Sequence, residues 1–183
     1  MEIFIEIPEK PHKNTLELLS ELLLVLPNSS KLDESNKSRA EILVKIQEDI
    51  GPQFLIFTGP SMQLVFKLID YRSRESMGIT SNIKKEAHQL VLNHFVSDLG
   101  LKVAEFFISI FPINLESNQV VNFSVHKDFI YFRMYRTCIT EKGPIFEKIG
   151  PHFTLRLWRM TEYVGMEKKI TNFKKYVKNA NLL

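Results

Sequence analysis

The chain has 183 residues, 44% hydrophobic and 25% charged, with 14 Phe and a single Cys. That length suits one domain, the balance suits a soluble core-forming fold, and no apolar run reaches the length of a membrane helix. Cys138 alone excludes an internal disulfide and a multi-cysteine metal site, and it points to a reducing compartment. The net charge of +3 is unevenly spread: residues 1–91 carry 11 Lys and Arg against 13 Asp and Glu, and residues 92–183 carry 13 against 8. A basic second half suits an anionic partner, although a solvated charged surface would look the same.

The start MEIFIEIPEK is acidic, without the basic region of a signal peptide. Ile3, Ile5 and Ile7 alternate with Glu2, Phe4 and Glu6, which predicts a first strand stopped by Pro8 and Pro11. Asn14 with Glu17 three residues on has the form of a capping box. Leu16, Leu19, Leu22, Leu23 and Leu26 then make the apolar stripe of a helix, which Pro27-Asn28-Ser29-Ser30 ends. Ser38 to Glu48 reads as a second helix burying Ile42, Leu43 and Ile46, broken by Gly51-Pro52. Phe54 to Phe57 and Met62 to Ile69 read as strands around the Gly59-Pro60-Ser61 turn, and Tyr71 to Lys85 as an exposed polar connection.

Leu90 to Phe95 alternates as another strand. Ser97 caps the next helix, whose stripe is Leu99, Val103, Phe106, Phe107, Ile110 and Phe111, and Pro112 ends it. Strand, capped helix and a Pro-terminated end thus occur twice, each followed by more strands. That order predicts an α/β domain of two similar units.

Val120 to Met160 reads as long strands. Phe129, Tyr131, Arg133 and Tyr135 share one face, and Ile130, Phe132 and Met134 the other. Further on, Phe153, Leu155 and Leu157 oppose Thr154, Arg156 and Trp158, while Arg136 and Arg159 fall on the apolar register near strand ends. Lys142-Gly143-Pro144 and Gly150-Pro151 supply the breaks. The apolar faces suit a core. The faces with arginine among aromatics suit nucleic acid, because guanidinium pairs phosphate and rings stack bases. Cross-strand pairing of those arginines with Glu147, Glu162 or Asp128 is the competing expectation. Glu167 to Lys178 reads as a terminal helix burying Ile170, Phe173 and Val177. Its Lys168, Lys169, Lys174, Lys175 and Lys178 form either a solvated face or a set of phosphate contacts.

No catalytic constellation is visible. His126 and Cys138 lack a nucleophile turn and a third orienting group, and His126 and His152 lack metal-ligand spacing. The sequence therefore predicts no enzyme, no metal, no cofactor and no small-molecule substrate.

The run from His126 to Arg136, then Ile149 to Leu157, resembles the Brix domain family of ribosome assembly factors. The resemblance extends back through Leu90 to Phe95, Phe106 to Pro112 and the first strand, helix and Leu26-Pro27-Asn28-Ser29. It implies a single Brix-type α/β domain of two similar halves, each like an anticodon-binding domain with a mixed sheet and packed helices. The expected boundaries are 1–166 for the domain, with halves of about 1–80 and 81–166, and 167–183 for a basic C-terminal helix. It further implies a non-catalytic factor that binds pre-ribosomal RNA in large-subunit assembly, alongside other assembly factors and ribosomal proteins. A small-subunit processome member and a protein-interaction scaffold are the alternatives. The location implied is the nucleolus, or the cytoplasm for an archaeal chain. The expected RNA contacts are Lys127, Tyr131, Arg133, Arg136, Lys148, His152, Arg156, Arg159, Lys168, Lys169, Lys174 and Lys175. The family usually has arginine where this chain has His152, which weakens that expected contact.

Overall fold

The structure is a computed structural model that describes residues 1–33, 35 and 40–172. Its first half runs β1 (Ile3–Glu6), α1 (Lys13–Val25), β2 (Ser29–Lys31), β3 (Ile42–Glu48), β4 (Pro52–Thr58) and β5 (Met62–Arg72). The second runs β6 (Gln89–Asn93), α2 (Asp98–Ile110), β7 (Gln119–His126), β8 (Phe129–Thr140), β9 (Gly143–Lys148), β10 (His152–Val164) and β11 (Glu167–Asn172). All strands join one sheet in the order β2-β1-β3-β4-β5-β10-β8-β7-β6, with β9 on β8 and β11 on β10.

The order is nearly a palindrome. β1 lies parallel to β3 as β6 lies parallel to β7, and β3, β4 and β5 alternate in direction as β7, β8 and β10 do. The halves meet where β5 and β10 pair antiparallel, from His152 opposite Arg72 to Glu162 opposite Met62. An antiparallel junction relates the halves by rotation about an axis normal to the sheet, and such a rotation leaves both helices on one face. One core accordingly holds Leu18, Leu22 and Val25 of α1 with Val103, Phe107 and Ile110 of α2. Phenylalanines tile the sheet beneath them. Phe107 stacks on Phe123 at 4.1 Å between centroids, and Phe132 stacks on Phe153 at 4.2 Å.

Four expectations need correction. The helix expected over Ser38 to Glu48 is instead strand β3 from Ile42 on (Ser38 and Arg39 lie outside the described residues), because Ile42, Val44 and Ile46 also satisfy a period of two and their branched side chains suit a strand beside β1. Helix α1 is capped by His12, whose Nδ1 accepts the Asn14 N–H at 3.3 Å, rather than by Asn14 with Glu17. The Glu48 carboxylate holds that start from a distance in sequence, accepting the His12 N–H and the Thr15 hydroxyl. The Tyr71 to Lys85 connection is anchored rather than simply exposed. Arg74 donates its N–H to Glu21, and fully buried Gln119 bonds the backbone of Lys84. Finally, Glu167 to Asn172 is strand β11, paired from Glu167 opposite Val164 to Asn172 opposite Arg159. The overhanging end of β10 gives this stretch a ladder, and backbone pairing there outweighs the helical pattern. The rest of the expected terminal helix, with Phe173, Lys174, Lys175, Val177 and Lys178, lies outside the described residues.

Gly150, at the break before β10, is a close-approach position. A Cβ there would lie 2.5 Å from the Cβ of Met134, which is fully buried. Gly150→Ala is expected to lower the melting temperature by about 5 °C, as overpacking of about 1–3 kcal/mol implies for a chain of this size, read by thermal circular dichroism.

Candidate nucleic-acid interface

With both helices on one side, the other side of the sheet is open among the described residues. The hairpin between β7 and β8 turns at Lys127 and Asp128, both at positive φ (48° and 64°), as a two-residue type I′ loop demands. That turn fixes the register, so Phe129, Tyr131, Arg133 and Tyr135 rise on the open face while Ile130, Phe132 and Met134 sink into the core. Across the junction, Phe153 pairs with Phe132 and Leu155 with Ile130 beneath, leaving His152, Thr154 and Arg156 on the open side. From β5, Lys67 lies opposite Arg156 and Arg72 opposite His152.

These side chains interleave. The Arg133 guanidinium lies 5.7 Å from the Tyr131 ring centre, and that of Arg156 lies 5.4 Å from Phe129. The Lys67 ammonium sits 6.0 Å from the Trp158 ring, which meets Phe54 edge-on at 6.1 Å. Each pair is a flat apolar surface bearing a cation. Arg133 also donates to the carbonyls of Phe132 (2.6 Å) and Phe153 (3.3 Å), which fixes its guanidinium between β8 and β10. Burial lowers its pKa, against the opposing pull of Tyr135, Asp70 and Tyr131.

Arg159 reaches the open face by a route that alternation alone misses. The register slips between Leu157 and Arg159, so Trp158 bulges and Arg159 pairs with Val65 on the open side, exposed. Arg136 goes the other way. It pairs with Glu147 at 3.2 Å and donates to the Asn82 carbonyl, clamping β9 and the 73–88 connection, so cross-strand pairing is the outcome for this arginine. Glu162 pairs instead with Lys102 of α2, at 2.6 Å on the helix side. Lys127 sits exposed at the hairpin tip and Lys148 exposed beside Tyr135. Lys168, in a strand rather than a helix, lies opposite Tyr163 with its ammonium 5.8 Å from that ring. Lys169 lies opposite Glu162 and so belongs to the helix side. Lys67, Arg72, Phe54 and Phe129 are additions to the expected set. Lys67 and Arg72 come from the near-neutral first half and carry no local signal, because only the β5–β10 junction brings them here.

His152 stands between Arg72 and Arg133, with its Nε2 enclosed and lacking a hydrogen-bond partner among the described residues. Burial first, then the charges of Arg133, Lys148 and Arg72, press its pKa down to about 4, against a small lift from Asp70. The folded chain thus keeps His152 neutral at pH values where the unfolded chain takes up a proton. The stability so gained is complete above the ordinary value of about 6.5 and is lost as pH falls from there towards 4. Buried His88 acts in the same direction, and Glu21, raised by burial, acts oppositely. Urea midpoints at pH 7.5 and 5.0 should therefore converge in His152→Gln relative to the unsubstituted chain. An unchanged difference between the two pH values would refute the linkage.

No family model matches the chain. Ribosome production factor 1 of Pongo abelii is 30% identical over 175 residues, spanning 85% of this chain and 50% of that protein. A Brix domain-containing protein of Schizosaccharomyces pombe is 35% identical over 146 residues, 75% of this chain and 44% of its own. The chain thus spans about half the length of the curated relatives it matches. In fold it is similar to a crystal structure described as a probable ribosomal biogenesis protein from Aeropyrum pernix. The TM-score is 0.62 at 10% identity, over 85% of this chain and 95% of that one.

Two pseudo-symmetric halves with both helices on one face accompany these sequence similarities, by which the chain resembles the Brix domain family of ribosome biogenesis proteins. Within it, the sequence is similar to ribosome production factor 1.

Proposed function

We propose that this chain is a non-catalytic ribosome assembly factor that binds pre-ribosomal RNA on the open face of its sheet. The observation that carries the reading is the interleaving of Arg133 with Tyr131 and of Arg156 with Phe129 on the face opposite both helices. The rings accept unpaired bases by stacking, and Arg133 and Arg156, with the surrounding cations Lys67, Arg72, Lys148, Arg159 and Lys168, neutralise the backbone that joins them. A flat sheet suits splayed single-stranded segments or loops better than a duplex groove. Similarity to ribosome production factor 1 supports a role in ribosome production; within that role we propose large-subunit assembly, with other assembly factors and ribosomal proteins as companions and the nucleolus as location.

Two measurements test this. Tagged full chain recovered from cells is expected to carry large-subunit precursor RNA. Recovery of small-subunit precursor instead would assign it to the small-subunit processome. In vitro, affinity for an unstructured precursor-rRNA segment should fall with salt on a log–log slope of about −2 to −4, as three to five phosphate contacts at about −0.7 each require. Weak binding without salt dependence would favour the protein scaffold.

A further inference from the structure

A second site lies away from the open face, where the two helices end. A cavity of about 260 Å³ is lined by Leu23, Leu26, Pro27, Glu86, His88 and Pro112, with Asn28, Ser29 and Lys85 at its wall. Helix α1 ends at Val25 and α2 at Ile110, so the lining residues Leu26, Pro27 and Pro112 follow directly on two helix C-termini. Each terminus carries partial negative charge, and neither helix has a basic residue in its last turn to offset it. Glu86, exposed, adds a full negative charge, against one exposed lysine, Lys85. His88 is only 3% exposed, and its Nδ1 is enclosed with no hydrogen-bond partner among the described residues. Burial keeps that imidazole on the neutral side, so a ring nitrogen can serve as an acceptor.

The rim is apolar. Asn114 donates to the Ala87 carbonyl at 2.9 Å, which holds the segment after Pro112 against the cavity, and Ile113 and Leu115 on it are 79% and 78% exposed. A small electronegative cavity beside two protruding aliphatic side chains is the form of a peptide-anchoring pocket. RNA is disfavoured here, because helix C-termini and a carboxylate repel phosphate.

We propose that this cavity anchors an arginine or lysine from an extended segment of a protein partner, whose flanking apolar residues pack on Ile113 and Leu115. The chain would then hold RNA on the sheet and a protein at the helix ends. This site does not depend on the RNA reading.

The test is a titration of the ¹⁵N-labelled full chain with acetyl-Ala-Leu-Arg-Leu-Ala-amide. The comparison peptide carries citrulline, which is neutral and nearly the same shape, in place of arginine. Saturable amide shifts confined to residues 26–29, 85–88 and 112–115 are expected, with citrulline at least about fivefold weaker because the charge-assisted bonds are lost. Glu86→Gln should weaken the arginine peptide by a similar factor, and Lys85→Ala should tighten it. Both positions are exposed, the Glu86 carboxylate also accepts from buried Ser117 and Gln119, and the spectrum itself reports whether the fold is kept. Equal binding of the two peptides, no saturation, or a tighter complex in Glu86→Gln would overturn the proposal. So would concentration-dependent shifts at these residues without peptide, which would make a second copy the occupant, or shifts there on adding an RNA oligonucleotide.

Discussion

Replacing Arg133 and Arg156 together by alanine is expected to weaken binding to precursor rRNA by about two orders of magnitude while leaving the chain folded. The magnitude follows from two charge-assisted contacts at about 1.5 kcal/mol each, near the lower end of their range, and about 1.4 kcal/mol per tenfold in affinity. The log–log salt slope should also become shallower by about 1.4, at about 0.7 for each lost phosphate contact on a single strand. Both guanidinium groups stand above the core rather than in it. Beneath them Phe132, Phe153 and Leu155 keep every apolar contact, and what Arg133 gives up is its pair of bonds to the Phe132 and Phe153 carbonyls. The loss in stability should accordingly be about 1–2 kcal/mol. Arg136→Ala is the matched control. It removes the ion pair to Glu147 and the bond to Asn82 and should lower stability without altering the salt slope. Fluorescence anisotropy at two salt concentrations, with circular dichroism to confirm folding, reads all of this. A folded double variant with unchanged affinity and slope would remove the open face from the RNA site.

The division of β8 and β10 into a core face and an open face was legible because burial acts on every second residue, and the apolar run Ile130, Phe132, Met134 has no other use. The repeat of strand, capped helix and strands was legible for a similar reason, since Ser97 caps α2 as its position suggests. Misreadings arose where a distant partner decides. Ile42, Leu43 and Ile46 fit a helix as well as Ile42, Val44 and Ile46 fit a strand, and only the neighbouring β1 selects between them. The β11 stretch is a strand because β10 runs on past β8 and leaves that edge free, which no local pattern announces. The fate of Arg136 needed the β8–β9 register, which brings Glu147 opposite it. Arg159 was recoverable in principle. With Trp158 set on the opposite face, apolar residues at 153, 155 and 157 are followed by the next at 160, and an interval of three within a period of two marks a bulge. Lys67 and Arg72 were not recoverable, because their place on the candidate site is created by the pairing of strands about 90 residues apart.

Phe107→Ala should cost about 3–5 kcal/mol, the range for removing a well-packed buried phenylalanine, and that is a large share of the about 5–15 kcal/mol that holds a domain together. Phe107 is 1% exposed on the core side of α2. Its ring stacks on Phe123 of β7 and, at 5.9 Å, on Phe66 of β5, and it meets Phe57 of β4 and Phe95 edge-on. Those partners come from both halves. The cavity left by alanine would therefore open at the join between the halves, where relaxation in one half cannot close it. Beyond the join, Phe123 contacts Phe132, which stacks on Phe153, so the same aromatic layer underlies the strands that carry Arg133 and Arg156. Loss of packing at Phe107 should thus loosen the open face as well as the core. Urea unfolding reads the effect as a lower midpoint at constant slope. Leu101→Ala, at a position 50% exposed on the same helix, should change stability by no more than about 0.5 kcal/mol. If Phe107→Ala leaves too little soluble protein to measure, Phe107→Leu keeps much of the volume and should still fall below the unsubstituted chain by about 1–2 kcal/mol. Unchanged midpoints in both Phe107 variants would show that the two halves do not share this core.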